Sequence, residues 1–166
     1  MRRSGANWIR AMVTVEIRDY EPQFRKAFRE LNEWWIHQYF EMEEKDYQIL
    51  HDPDTHILNR GGHILVALFK GVPAGVCALL PSDRDDFDFE LSKMGVAPDC
   101  QGLGIGMALG RAVLKKARDS GAKRVFLQSN TILEPAINLY RKLGFREIPA
   151  VDSPYRRCNI QMEIAL

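Results

Sequence analysis

Residues 101–106, with the sequence Gln-Gly-Leu-Gly-Ile-Gly, place three glycines just before a segment whose apolar residues recur at helical spacing. Glycine adopts positive φ at little cost and lets a backbone approach a ligand closely. The first N–H groups of a helix lack intrahelical acceptors and lie at the positive end of the helix dipole. Such amides bind anions, most often phosphate. The segment therefore predicts a phosphate or diphosphate site.

Two familiar phosphate-binding motifs fit the glycine segment poorly. A P-loop needs a lysine and a serine or threonine after its last glycine, and the sequence has neither there. A GxGxxG dinucleotide motif counted from Gly102 has Met107 in the third glycine position. The next predicted strand ends in Gln128, Ser129 and Asn130, without an acidic residue to bind a ribose. A turn that uses glycine only for tight packing remains an alternative.

The glycine segment resembles the Q/R-x-x-G-x-G/A signature of the GNAT N-acetyltransferase superfamily. Residues 90–98 resemble the cofactor strand of that family, and residues 136–145 resemble its A-x-x-L-Y-x-x-x-G-F segment. The three segments agree with the family in order and spacing, within a resemblance that covers residues 13–166. It implies an α/β (α+β) acyl-CoA N-acyltransferase fold, with a central mixed, mostly antiparallel sheet flanked by helices. It also implies acetyl-CoA (coenzyme A) as co-substrate, and no metal.

The resemblance assigns expected roles to individual residues. Backbone groups of Met94, Gly95 and Val96 would pair with the pantetheine arm as though it were an added strand. The pyrophosphate would be bound by the amides of Gln101, Gly102, Leu103, Gly104, Ile105, Gly106 and Met107. Asn130 would lie near the pantetheine or the adenylate, and Tyr140 beside the thioester sulfur. Many relatives have a bulkier residue at Gly95, and we interpret this glycine as marking a β-bulge.

Glu90 is the candidate general base. An alkyl amine has a pKa of about 10 and is mostly protonated at pH 7, so its acylation needs a proton acceptor. Glu90 alternates with Phe89 and Leu91 along the predicted strand and precedes Gln101 by eleven residues, where the family often has its catalytic glutamate. A strand glutamate that is only solvated is the alternative.

Tyr140 is the candidate acid that protonates the leaving thiolate. It shares an apolar helix face with Ala136 and Leu143, so a tyrosine that only packs in the core is the alternative. A backbone N–H near the bulge, such as that of Val96, is expected to stabilise the negative charge on the thioester oxygen.

Hydrophobic periodicity predicts the elements that position these residues. We predict strands at residues 13–18, 64–69, 75–80, 87–97, 124–128, 145–148 and 158–166, and helices at 22–31, 34–50, 52–60, 104–120 and 134–144. Gly71, Val72 and Pro73 are predicted to form a hairpin turn. The apolar run in residues 125–127 predicts a central, parallel strand.

Composition restricts the class of protein. The 166 residues, 46% hydrophobic and 27% charged, fit one domain, which we place at residues 13–166 after a disordered extension at 1–12. A net charge of +1 gives no overall electrostatic attraction to nucleic acid or to an anionic membrane. No apolar run is long enough to predict a membrane span. Three cysteines without paired spacing favour a reducing, cytoplasmic location, and the four histidines have no metal-site spacing.

The sequence therefore predicts an N-acetyltransferase that acts on a primary amine of a small molecule, an amino acid or a peptide or protein, by direct attack in a ternary complex. A non-catalytic acyl-CoA-binding module is the alternative, and a homodimer remains open. The acceptor pocket is expected between the first helices and the segment before the last strand. Its expected members are Trp34, Trp35, His37, Tyr39, Phe40, Glu43 and residues 151–157.

Overall fold

A seven-stranded sheet with the order β1-β2-β3-β4-β5-β7-β6 organises the computed structural model, which describes residues 14–166. The strands are β1 (Val15–Asp19), β2 (His63–Phe69), β3 (Val72–Pro81), β4 (Phe89–Val96), β5 (Arg124–Ser129), β6 (Arg146–Ile148) and β7 (Ile160–Ala165). Only β4 and β5 run parallel, which confirms the predicted mixed, mostly antiparallel sheet. The predicted extension at residues 1–12 lies outside the described residues.

Helices cover both faces of the sheet. They are α1 (Arg25–Tyr39), α2 (Glu44–His51), α3 (Pro53–His56), α4 (Ile105–Asp119) and α5 (Glu134–Leu143). Successive residues of β2 serve opposite faces: Leu65 packs in the cluster beneath α4 and α5, and Val66 packs in the cluster beneath α1 and α2. Burial on both sides explains why the central strands have continuous apolar runs instead of alternation.

The predicted break between two early helices is wrong, because α1 is continuous from Arg25 to Tyr39. Asn32 is buried in the middle of it, where its side chain donates to the Phe28 carbonyl and accepts from the Trp35 indole, each at 2.9 Å. A buried polar side chain that finds both partners within its own helix does not interrupt it. The break falls later, at residues 40–43.

The hairpin turn between β2 and β3 also differs from the prediction. Lys70 and Gly71 both have positive φ, at 52° and 77°, and Phe69 pairs directly with Val72. Two left-handed residues form the tight turn that matches the twist of a hairpin. Val72 and Pro73 therefore belong to β3 and not to the turn.

Two irregularities in β4 open the sheet. β4 pairs with β5 only at Phe89 and Glu90, after which the two strands diverge. Against β3, Ser92 lies opposite Ala78 and Gly95 opposite Val76, so that two residues, 93 and 94, stand against one. This is a β-bulge, and its first residue, Lys93, has a φ of 51°. The bulge thus precedes Gly95, which corrects our interpretation of that glycine.

Gly95 is needed instead for the close approach of α1. A Cβ at this position would lie 2.9 Å from the Leu31 carbonyl oxygen. We expect Gly95→Ala to lower the free energy of unfolding by about 1–3 kcal/mol, measured by urea denaturation. Gly71→Ala, at positive φ but with nothing within 4 Å of its Cβ, serves as the control for backbone strain alone. A loss close to zero at Gly95, which unlike Gly71 does not have a positive φ, would contradict this packing role.

Candidate active site

A cavity of about 710 Å³ lies where β4 and β5 diverge. Its walls come from those two strands, the N-terminus of α4, α5, the end of α1 and the segment before β7. The predicted site residues that line it are Glu90, Met94, Gly95, Val96, Gln101, Gly102, Gly104, Ile105, Gly106, Met107, Asn130 and Tyr140. Leu103 does not line it, because its side chain points outward and is 44% exposed.

The glycine segment forms the entry to α4. Gly102 and Gly104 have left-handed φ values of 78° and 82°, and a Cβ on either would meet no atom within 4 Å. The amide of Ala108 makes the first intrahelical bond, to the Gly104 carbonyl at 3.0 Å. The amides of Ile105 and Gly106, together with that of residue 107, precede this bond and have no intrahelical acceptor. They are geometrically suited to bind a phosphate.

The edge of β4 beyond Glu90 faces the cavity without a partner strand. The Ala97 amide donates to Ala74 on the β3 side, at 2.8 Å. Because successive amides in an extended strand point to opposite edges, the Val96 N–H points toward the cavity. An extended ligand can therefore pair with β4 where β5 has moved away.

Glu90 lies at the base of the fork. Its carboxylate accepts a hydrogen bond from the Gln128 side chain at 3.2 Å. Burial raises the pKa of Glu90 above its ordinary value, while the Gln128 bond and the nearby Lys45 and Lys93 oppose that rise. A carboxylate with a raised pKa is a better proton acceptor at neutral pH than a solvated one.

Tyr140 lies on α5 with its ring buried against Phe145, at a centroid distance of 6.1 Å. The hydroxyl is protonated at neutral pH, and burial raises its pKa, which makes it a weaker acid than an exposed tyrosine. Among residues 14–166, no protein group forms a hydrogen bond with that hydroxyl. Its ring has the packing of a core tyrosine, and its side chain also lines the cavity as a potential proton donor.

The side chain of Asn130 makes two hydrogen bonds that the sequence did not indicate. Its side chain donates to the Arg157 carbonyl at 2.7 Å and accepts from the Ile132 amide at 2.9 Å. Both polar ends are therefore used to join the loop after β5 to the segment before β7. Asn130 borders the cavity and shapes it through these bonds.

Residues 28–145 match the model of the Acetyltransferase (GNAT) family. The chain belongs to this family. The uncharacterized N-acetyltransferase YjgM of Escherichia coli is 31% identical over 111 residues, which cover 63% of this GNAT chain and 66% of YjgM. A mycothiol acetyltransferase of Arthrobacter is 43% identical over 56 residues, or 34% of this chain and 17% of the relative. The matches thus span just under two thirds of one relative and about a sixth of the other.

Solved structures share the fold at low identity. A GNAT acetyltransferase from Staphylococcus aureus superposes with a TM-score of 0.80 at 20% identity, covering 92% of this chain and 99% of the other. A putative acetyltransferase from Salmonella typhimurium, solved with its cofactor acetyl-CoA, gives a TM-score of 0.72 at 21% identity, covering 92% and 94%. The predicted family and fold are both confirmed.

A buried ion network in this GNAT chain was not predicted. Asp46, the N3 residue of α2, contacts Lys93 Nζ at 2.5 Å and both terminal nitrogens of Arg157 at 2.6 Å. Lys93 also donates to the Tyr155 hydroxyl at 3.1 Å, and Arg157 lies 3.3 Å from Glu43. The network joins the bulge in β4 to α2 and to the segment before β7.

The ionisation of this network follows from burial and pairing. Burial alone would raise the pKa of Asp46, but the hydrogen bonds from Arg157 and the charge of Lys93 outweigh it and lower that pKa to about 2. Burial lowers the pKa of Lys93, and Asp46 opposes this fall. Asp46 is therefore ionised at neutral pH. The Glu43-x-x-Asp46 spacing is a sequence signal for the capping box that the structure contains, but not for pairing with Lys93 or Arg157.

The expected acceptor residues separate into two groups. Those that line the cavity are Trp34, Trp35, Tyr39, Phe40, Tyr155 and Arg157. His37 is exposed and does not line the cavity, and Glu43 lines a neighbouring groove, where it binds the Arg156 amide. The end of the cavity where we expect the acceptor is therefore mainly aromatic.

Other reactive groups within residues 14–166 form no additional centre. No cluster of three or more histidine, cysteine, aspartate or glutamate side chains is placed to hold a metal in this range. Cys77, Cys100 and Cys158 are free thiols, and burial raises the pKa of Cys100, which lies beside the glycine segment. None of the described helices has the length and apolar character to cross a bilayer.

Proposed function

We propose that this GNAT chain is an acetyl-CoA-dependent N-acetyltransferase that acylates a primary amine of a small molecule, an amino acid or a peptide, by direct attack in a ternary complex. The observation that carries this proposal is the forked cavity. It combines the unpaired amides of α4, a free edge of β4 and the half-buried carboxylate of Glu90 in one space.

The residues of the cavity divide into binding and chemical roles. The amides of residues 105–107 bind the pyrophosphate, and the free edge of β4 pairs with the pantetheine arm. Acetyl-CoA supplies an activated thioester. The Val96 N–H stabilises the oxygen on which negative charge develops.

Glu90 and Tyr140 handle the protons in this proposal. Glu90 accepts a proton from the ammonium form of the acceptor, directly or through water, and so makes the amine nucleophilic. Tyr140 donates its proton to the leaving thiolate, which has a pKa of about 8.5, and the second proton that the amine nitrogen loses on becoming an amide restores the Tyr140 hydroxyl. No covalent enzyme intermediate is needed, which leaves Cys100 without a chemical role.

Thiol release during incubation of the protein with acetyl-CoA and a panel of primary amines tests the proposal. We expect amine-dependent release, with the acetylated amine detected by mass spectrometry. Binding of acetyl-CoA by calorimetry without release for any amine would favour a non-catalytic acyl-CoA-binding module. Failure to bind acetyl-CoA at millimolar concentration would contradict both functions.

The glycine segment supplies a sharper binding test. We expect Gly104→Val to raise the Kd for acetyl-CoA by at least about tenfold, because a β-branched residue resists the left-handed conformation that aims the α4 amides. Gly121→Val is the matched control, since Gly121 has a φ of 81° in open space at the other end of α4. Equal affinity losses in the two variants would contradict the pyrophosphate role.

A further inference from the structure

The charges around the acceptor end of the cavity indicate which amines it accepts. Two cationic side chains line that end, Lys93 and Arg157. Lys93 is buried and binds Asp46 and Tyr155, and Arg157 binds Asp46 through two nitrogens and also contacts Glu43. The two cations are therefore matched by two carboxylates.

The Glu90 carboxylate differs from those of Asp46 and Glu43 because its hydrogen-bond partner is neutral. Its carboxylate accepts from the side-chain amide of Gln128. Lys45, a nearby cation, lies over the Tyr155 ring at 6.0 Å and lines the neighbouring groove with Glu41 and Glu44 instead of the cavity. Lys142 lines the cavity from the last turn of α5, the helix that carries Tyr140. Within residues 14–166, one carboxylate at the acceptor end thus remains without a cation in contact with it.

The aromatic side chains at the acceptor end also favour a positively charged acceptor. Arg157 already covers the faces of Trp35 and Tyr155, at 5.6 and 4.6 Å from the ring centroids. Trp34 lines the same end, and no described cation lies over its ring. An aromatic face in this position attracts an ammonium group or packs against an apolar body.

We infer that the acceptor is an alkylamine or arylalkylamine whose amine-bearing carbon has no free carboxylate, an inference that rests on the proposed acetyltransferase function. An α-amino acid would place its carboxylate near Glu90, where the two cations that line the acceptor end, Lys93 and Arg157, are already bound to Asp46 and Glu43. Two like charges about 6 Å apart at an effective dielectric constant of about 20 weaken binding by up to roughly a hundredfold. Allowing for solvent, we expect a discrimination of at least about tenfold.

The test compares tryptamine, tryptophan amide and tryptophan as acceptors. We expect kcat/KM for tryptamine to exceed that for tryptophan by at least about tenfold at the plateau of each pH profile. The amide, which has the shape of tryptophan without its charge and resembles a peptide N-terminus, should be closer to tryptamine. An amide as poor as tryptophan, or tryptophan equal to tryptamine, would overturn the inference. Binding of acetyl-CoA without thiol release for any acceptor would instead remove the proposed function.

A pair of variants tests the same charge preference from the side of the protein. Glu43→Gln removes one carboxylate from Arg157, so we expect the ratio of kcat/KM for tryptophan to that for tryptamine to rise several-fold. Glu44→Gln is the matched control, because Glu44 is exposed and contacts Gln48 instead of Arg157. An equal ratio in both variants and the parent protein would overturn the assignment.

Discussion

Glu90→Gln is expected to lower kcat/KM for amine acetylation by about 10²–10⁴-fold, the usual contribution of a general base. Glutamine keeps the size of the side chain and its hydrogen-bonding capacity toward Gln128 but cannot accept the proton. The Kd for acetyl-CoA should change little, because the α4 amides and the edge of β4 remain in place. Calorimetry and steady-state kinetics on the same preparation separate binding from turnover.

The pH profile identifies the base more specifically than the rate does. Below its pKa, Glu90 is protonated and inactive as a base, so kcat/KM should rise with pH through that pKa. Burial raises the pKa, and this acidic limb should therefore lie above the range of an ordinary glutamate. Glu90→Gln should lose the limb, whereas Glu147→Gln, an exposed glutamate on β6, should keep it. A profile unchanged by Glu90→Gln would remove Glu90 from the mechanism.

The end of the cavity formed by the glycine segment, where we propose that the cofactor binds, could be predicted because its signals are local in sequence. The glycines at 102 and 104 determine the loop, and the apolar spacing of α4 determines the helix whose amides follow it. The apolar run of β5 predicts a central, parallel strand, and the structure places β5 inside the sheet, parallel to β4 but antiparallel to β7. The loop and the helix depend on neighbouring residues, so the local sequence contains their signals.

The acceptor end depends on contacts that periodicity does not contain. Asp46 pairs with residues 47 and 111 positions away, and its own helix gives no sign of this. The bulge at Lys93 has a φ of 51°, a conformation that local preference would assign to glycine. Burial of a lysine in that conformation is stabilised by the Asp46 and Tyr155 contacts, which form only when the fold is complete.

Asp46→Asn is expected to lower the free energy of unfolding by about 3–5 kcal/mol, because it leaves Lys93 buried without a carboxylate and leaves Arg157 with only its 3.3 Å contact to Glu43. Urea denaturation at pH 7 measures the loss. Asp119→Asn is the matched control: Asp119 contacts Lys115 at 2.7 Å, but on the exposed surface of α4. An exposed pair contributes only about 0–1 kcal/mol, so equal losses in the two variants would contradict the importance of burial.

The pH dependence of stability gives a separate test of Asp46. Its folded-state pKa of about 2 lies below the ordinary value of 3.8. The ionised carboxylate therefore stabilises the fold above about pH 4, and this contribution, roughly 2 kcal/mol, disappears as pH falls toward 2. Asp46→Asn has no such carboxyl to titrate. The stability difference between the two proteins should accordingly narrow as the pH is lowered from 4 toward 2, and a constant difference would contradict the assignment.

Lys93→Met separates the charge of the network from its packing. Methionine fills a similar volume without an ammonium group, so Asp46 keeps Arg157 as its remaining cationic partner. Asp46→Asn alone leaves the buried Lys93 ammonium without its carboxylate. The double variant of Lys93→Met and Asp46→Asn has no ammonium at position 93, so this cost is absent. The double variant should therefore lose less stability than the sum of the single losses, by about 0.5–3 kcal/mol. Additive losses would mean that Lys93 and Asp46 stabilise the fold independently, despite their contact.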